Sequence, residues 1–522
     1  MLDILIRNGQ VVDGSGAPRY RADVAVAADC IVEIGQLTHA QAATMIDASG
    51  CVVTPGFVDM HSHTDFTLPI LPTADSLVHQ GITTAVVGQC GSSPAPLLAE
   101  TREQVIATLR SEDLPLPWDA WTTFGSYFDY LKRIGISINV VSLVGQGMVR
   151  AGVMGFTANP PDEAQMTRMK AEVSRAMDAG AIGVSTGLIY PPGSYASTEE
   201  LITLTQMVGK RNGFYFSHIR GEGDTLLESV AEAIRIGRET GAAVEISHFK
   251  AAGQKNWCKS AAALELIDRA RAEGQDVSAD LYPYLASSTN LSATLPQWSE
   301  EGGKQATLQR LADANTRRKM AAEMQSSGRE WNLVFISSAP KHRAYEGRHI
   351  ADLAAEAGKS PYDWIFDVLL ETELDIGMIG FGMSEENRQQ ELRYPTMMIG
   401  TDGTALATTG PLSKSKPHPR NFGTFPRVLG HYIREQKVIS FEEAIRRMCG
   451  LPAQKLRWAN RGLVKNGYKA DLVILNPDTV ADRATYENPH QYPAGIHHVI
   501  VNGKLVIHND VHTLARPGIV LG

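Results

Sequence analysis

Gly56-Phe57-Val58-Asp59-Met60-His61-Ser62-His63 reads as a short apolar strand that ends in His-x-His. Residues two apart on a strand share one face, so both imidazoles can reach one cation from the strand's end. That arrangement decides the fold to look for: a parallel barrel whose strands deliver side chains to a common rim.

Seven more apolar runs follow at intervals filled by amphipathic stretches. Strands are expected over 57–63, 83–88, 138–144, 182–186, 214–218, 244–248, 277–281 and 396–402. Helical periodicity covers 161–179, 198–211, 224–240, 260–273 and 440–449. Alternating strands and helices point to βα units around a parallel sheet, here an elaborated α/β (β/α)8 TIM-like barrel.

Histidine, cysteine and aspartate recur where those strands end. Besides His61 and His63, Cys90 follows the second strand, His218 closes the fifth, His248 the sixth and Asp402 the eighth. The C-terminal rim is where barrel active sites lie. Thiolate and imidazole are good Zn²⁺ ligands, and a Cys-His-His set leaves one tetrahedral position open. Gly88 and Gly91 beside Cys90 allow close approach of backbone and ligand.

The chain has 522 residues, 43% of them hydrophobic and 20% charged, which suffices for one large domain and a smaller one. A net charge of −8 gives no basic face for nucleic acid. No apolar run reaches membrane length, and Met1-Leu2-Asp3-Ile4, with an early acid and no basic stretch, is not expected to begin a signal peptide. Five cysteines without framework spacing suit a reducing compartment, so a cytoplasmic location is expected.

Both chain ends are rich in short strands and turns, from Ile4-Leu5-Ile6 and the Asn8-Gly9 turn to Val499-Ile500-Val501-Asn502-Gly503. A small β-sandwich domain built from 1–56 and 456–522 is expected to flank a barrel over 57–455. The stretch between the seventh and eighth strands is too long for a simple connection, and about 287–342 reads as a lid-like insertion.

Several motifs are similar to those of the amidohydrolase superfamily, and within it of the zinc-dependent D-aminoacylases (N-acyl-D-amino-acid deacylases). They include Thr54-Pro55-Gly56-Phe57-Val58-Asp59-Met60-His61-Ser62-His63, Tyr190-Pro191-Pro192-Gly193, Ser217-His218-Ile219-Arg220-Gly221-Glu222 and Ser247-His248-Phe249-Lys250. Tyr282-Pro283-Tyr284, His418-Pro419-Arg420-Asn421-Phe422-Gly423 and Ala470-Asp471-Leu472-Val473 continue the likeness along nearly the whole chain. Gln89 departs from it, standing where the group commonly has Asn. The resemblance implies a tight zinc on Cys90, His218 and His248. It also implies a second, weaker divalent site on His61, His63 and Asp402, with Cys90 able to bridge.

Hydrolysis of an amide needs an activated water and a proton for the leaving nitrogen; Asp402 is the expected acid/base. Lys250, two positions past His248, and Tyr282 are expected to hold the substrate's α-carboxylate, with Tyr190 as a further donor. Arg220 and Glu222 are expected to orient His218. Residues 287–298 carry no Lys or Arg, so N-acyl-D-amino acids with neutral or hydrophobic side chains are the expected small-molecule substrates. A cyclic-amide hydrolase of the hydantoinase or dihydroorotase kind is the runner-up. Many of those bridge two metals through a carboxylated lysine on the fourth strand, and 181–187 contains none. A non-catalytic scaffold is the third reading.

Overall fold

Valine-, isoleucine- and phenylalanine-rich runs form eight parallel barrel strands in a computed structural model that describes residues 1–522. They are Phe57–Asp59, Ile82–Val87, Asn139–Ser142 with its continuation Val144–Gly145, Gly183–Gly187, Phe214–His218, Ala243–Ile246, Val277–Leu281 and Met397–Ile399. Each pairs in parallel with its neighbour. The eighth meets the first: Met60 N–H donates to the Ile399 carbonyl at 3.1 Å and Asp402 N–H to that of His61 at 2.7 Å. The eight strands read from the sequence are therefore those observed.

Val58, Met60, Val86, Val141, Leu143, Phe214, Phe216 and Met398 fill the barrel, with Leu456 packed among them. The opposite strand faces pack on the surrounding helices, among them Glu163–Asp178, Thr198–Lys210, Leu226–Thr240 and Lys259–Ala272. Local chemistry sets their ends. Asp162 and Gln165 form a capping box, Ser197 caps the next helix, and Gly241 ends the third in the left-handed conformation.

The two termini build one β-sandwich. Leu2–Arg7 lies between Asp23–Ala27 and Ala42–Asp47 in a four-stranded sheet. In the seven-stranded sheet, Leu472–Leu475 pairs antiparallel with Val52–Pro55, joining the ends of the chain. Ile4, Ile6, Val24, Val26, Val53, Leu472, Ile474 and Ile500 form their shared core. A feature absent from the sequence reading is that Val520–Leu521 returns to the barrel and pairs with Val140 and Val141 on the third strand.

Between the seventh and eighth strands, Ala286–Asn290 and Val334–Ser338 both pair antiparallel with the central strand Gly377–Phe381. Four helices pack on this sheet around Leu311, Met320, Trp331, Ile365 and Ile376. The insertion thus spans 286–381 rather than 287–342. Its middle strand comes last in the chain, so the pairing that defines the unit joins residues some ninety positions apart. No helix is long and apolar enough to cross a membrane.

Candidate metal centre

The six proposed ligands come together at the C-terminal rim. Cys90 Sγ lies 3.3 Å from His61 Nε2, 3.7 Å from His218 Nδ1 and 3.5 Å from His248 Nε2. Asp402 Oδ1 lies 3.5 Å from His61 Nε2 and 3.3 Å from His63 Nε2, so His63 joins the cluster through Asp402. All are buried except His63, which is partly exposed.

Three of the six ligands also have an unusual backbone conformation. Cys90, His248 and Asp402 have φ of 54°, 36° and 48°, in the left-handed region that side chains other than glycine seldom enter. Three such residues around one cluster mark a place where the fold enforces geometry for function. Gly88 makes the Cys90 turn feasible: at φ 75°, a Cβ there would lie 1.9 Å from the Leu143 carbonyl oxygen. Gln89 donates to the carbonyls of Met60 at 3.1 Å and Val86 at 3.4 Å, locking the turn to the first two strands.

Burial controls the protonation of the cluster. It pushes the Cys90 thiol well up, with Asp402 adding to the effect, and pushes the His61 and His218 imidazoles well down. The donor set is thus a knot of buried ligand atoms, and its spacing fits a cation. Tetrahedral bonds of about 2.3 Å to sulfur and about 2.05 Å to nitrogen put those donors about 3.6 Å apart. The Cys90–His218 and Cys90–His248 separations of 3.7 and 3.5 Å match that edge.

Around the donors, three cations each face a carboxylate. Arg420 Nη1 donates to Asp402 Oδ2 at 2.7 Å, Lys250 Nζ to Glu222 Oε1 at 2.5 Å, and Arg388 Nη1 approaches Glu391 Oε2 at 2.9 Å. Burial would raise the Asp402 and Glu222 carboxyls. Arg420 with His248 overcomes it for Asp402, and Lys250 with His218 and His248 overcomes it for Glu222, so both sit well below the usual range. Tyr282 lies among the three cations, its ring centre 4.9 Å from Arg420, 5.6 Å from Lys250 and 5.7 Å from Arg388. Its hydroxyl has no hydrogen-bond partner. Tyr190 packs edge-on to His218 and its hydroxyl lies 3.0 Å from Thr289 Oγ1 on the insertion, so the insertion touches the rim here.

Two expectations change. Arg220 does not reach His218: its guanidinium donates to Glu232 and to the carbonyls of Ser194 and Ala196, tying down the 193–196 loop. Glu222 serves His248 more closely than His218, with Oε1 2.9 Å from His248 Nδ1 and 3.9 Å from His218 Nε2. Arg420 joins the site without being among the residues expected from the sequence. The available signal is its place in His418-Pro419-Arg420, within a motif that carries the family resemblance.

A (β/α)8 barrel with cysteine, histidine and aspartate donors on its rim defines the class, and the amidohydrolase family profile matches residues 44–507; the chain belongs to that family. More particularly, it is 37% identical to D-aminoacylase of Alcaligenes xylosoxydans xylosoxydans, over 99% of this chain and 97% of that protein. It is 36% identical to the N-acyl-D-glutamate deacylase of the same organism, over 100% and 96%. The N-acyl-D-glutamate deacylase of Bordetella bronchiseptica, solved with zinc and a phosphonate mimic of the tetrahedral intermediate, superposes with a TM-score of 0.85. That pair shares 35% identity over 100% and 99% of the two chains. The resemblance read from the motifs is borne out.

Proposed function

We propose that the protein is a zinc-dependent hydrolase that splits N-acyl-D-amino acids into a D-amino acid and a carboxylate. The observation that carries this reading is the convergence of Cys90, His218 and His248 beside the Asp402–Arg420 pair. Cys90, His218 and His248 would hold the tight zinc; His61, His63 and Asp402 would hold a weaker one. When bound, zinc supplies Lewis acidity that activates water and polarises the scissile carbonyl.

The chain's own groups account for the remainder. Asp402 takes a proton from the attacking water and returns it to the leaving nitrogen. Arg420 receives the substrate's α-carboxylate, exchanging one carboxylate partner for another and leaving Asp402 Oδ2 free. The unpartnered Tyr282 hydroxyl adds a donor beside it. Lys250, expected from the sequence to hold that carboxylate, instead has its ammonium between Glu222 Oε1 at 2.5 Å and His248 Nδ1 at 2.8 Å, so it supports the site by fixing Glu222 against His248.

Relatives of nearly equal identity are named for different substrates, so identity alone does not choose the side chain. The cations do bear on it. Lys250, Arg388 and Arg420 each have a carboxylate partner, which leaves none in surplus for a second substrate carboxylate. The rim strand Ala286–Asn290 adds only small neutral side chains. This supports neutral or hydrophobic D-amino acids. The preference for D over L rests on the relatives. A cytoplasmic location is supported by five free cysteines.

The test offers N-acetyl derivatives of D- and L-leucine, D- and L-methionine and D-glutamate, with hydantoins alongside, and follows amine release. Hydrolysis of the D-leucine and D-methionine compounds in preference to the others is expected. Preference for hydantoins would favour the cyclic-amide reading, and preference for acyl-D-glutamate would overturn the side-chain assignment.

A further inference from the structure

His61 presents Nε2 to the cluster, 3.3 Å from Cys90 Sγ and 3.5 Å from Asp402 Oδ1. A histidine that ligates through Nε2 carries its proton on Nδ1, and what Nδ1 faces fixes the tautomer and the ring. Nδ1 of His61 is fully buried and has no hydrogen-bond partner. It faces Asp280 Oδ1 at 3.7 Å.

Asp280, on the seventh strand, is fully buried, two residues along from Ser278, whose hydroxyl donates to the buried Glu245. The same Oδ1 accepts the backbone N–H of His248 at 2.9 Å, and the Asp280 carbonyl accepts that of Phe249 at 2.7 Å. His248 is the residue at φ 36°, so its strained backbone is anchored by this carboxylate. Oδ2 of Asp280 has no partner at all. The eighth strand makes room for the arrangement with Gly400, where a Cβ would lie 2.6 Å from His61 Cβ and 3.0 Å from Asp280 Oδ1. A buried carboxylate oxygen, an unsatisfied imidazole nitrogen and a strained ligand backbone thus share one spot beneath the centre.

We propose that Asp280 is a positioning residue of the metal centre: one carboxylate aligns the His61 ring through Nδ1 and anchors the His248 backbone through its N–H. It thereby holds a ligand of the weaker site in register with a ligand of the tight site. The inference rests on the zinc reading above. It distinguishes Asp280 from Glu222, which serves the outer nitrogens of the tight-site histidines from the opposite side.

The experiment compares wild type with Asp280→Asn and Asp280→Ser. Each protein is stripped of metal and titrated with Zn²⁺ against a chromophoric chelator, and with Co²⁺ by visible absorption. Apoprotein melting and far-ultraviolet circular dichroism are recorded in parallel. Asparagine can still accept from the His248 N–H but lacks the anionic partner for His61. The expected result is that Asp280→Asn retains the first equivalent at wild-type affinity and binds the second ~10- to 100-fold more weakly, with an altered Co²⁺ band for that equivalent. Asp280→Ser is expected to weaken both. Wild-type affinity for both equivalents in both variants would overturn the inference, as would a lowered apoprotein melting temperature with unchanged metal binding, the mark of a purely structural role. Wild-type protein that takes up no divalent ion would instead remove the zinc reading itself.

Discussion

Arg420 Nη1 lies 2.7 Å from Asp402 Oδ2, while Oδ1 of the same carboxylate faces His61 and His63. The guanidinium that would bind an anionic substrate is thus the one that holds the candidate acid/base. A carboxylate clamped by arginine is a weak base, and it becomes a better one when the arginine turns to another anion. On the proposed reading, binding and proton transfer would be coupled through this one pair.

Arg420→Met removes a charge-assisted hydrogen bond of about 1.5–3 kcal/mol to the substrate carboxylate, so kcat/KM should fall roughly 10- to 150-fold. The loss should be confined to substrates that carry the carboxylate. Assaying an N-acyl-D-amino acid and its amide in both proteins checks this, and an equal loss on both would assign Arg420 a structural role.

Replacing Asp402 by Asn keeps the volume and removes the proton acceptor. Turnover should fall roughly 10²–10⁴-fold. The tight zinc should remain, because Cys90, His218 and His248 are untouched. Turnover numbers set beside metal content per chain provide the check.

Glu222 Oε1 lies 2.5 Å from Lys250 Nζ and 2.9 Å from His248 Nδ1. Asp or Glu partners of this kind raise a ligand's basicity, and their loss typically weakens metal affinity by ~10- to 100-fold. Glu222→Gln should therefore bind the tight zinc more weakly by that factor in chelator competition. Arg220→Gln should not, since its partners are Glu232 and two loop carbonyls.

His498 offers a pH test remote from the rim. Burial lowers its pKa to about 4, with His508 adding to the effect, and its Nδ1 accepts the Asn509 N–H at 3.3 Å. The folded state holds the ring neutral, whereas the unfolded chain protonates near pH 6.5. Stability from this residue is complete above pH 6.5 and is lost as pH falls toward 4. Melting curves between pH 7 and 4.5 should drop less steeply for His498→Gln than for wild type.

Much of this was legible in the sequence because barrel strands are local. Each apolar run around His61, His218 or His248 declares its own strand, and the ligand follows at its end. What escaped reading depends on distant partners. Val520–Leu521 looks like a loose tail until it pairs with Val140 and Val141, and the insertion's central strand, Gly377–Phe381, follows both of its partners in the chain. Arg220 lies beside His218 in sequence, yet its charge is drawn to Glu232 on the following helix. Arg420 reaches Asp402 from outside any barrel strand, so strand-end logic did not find it.

The most direct measurement is anomalous diffraction from crystals of the purified enzyme on either side of the zinc absorption edge. A zinc peak bonded to Cys90 Sγ, His218 Nδ1 and His248 Nε2 is expected, at about 2.3 Å from the sulfur and about 2.0–2.1 Å from each nitrogen. Crystals of active enzyme with no anomalous peak among these three residues would contradict it.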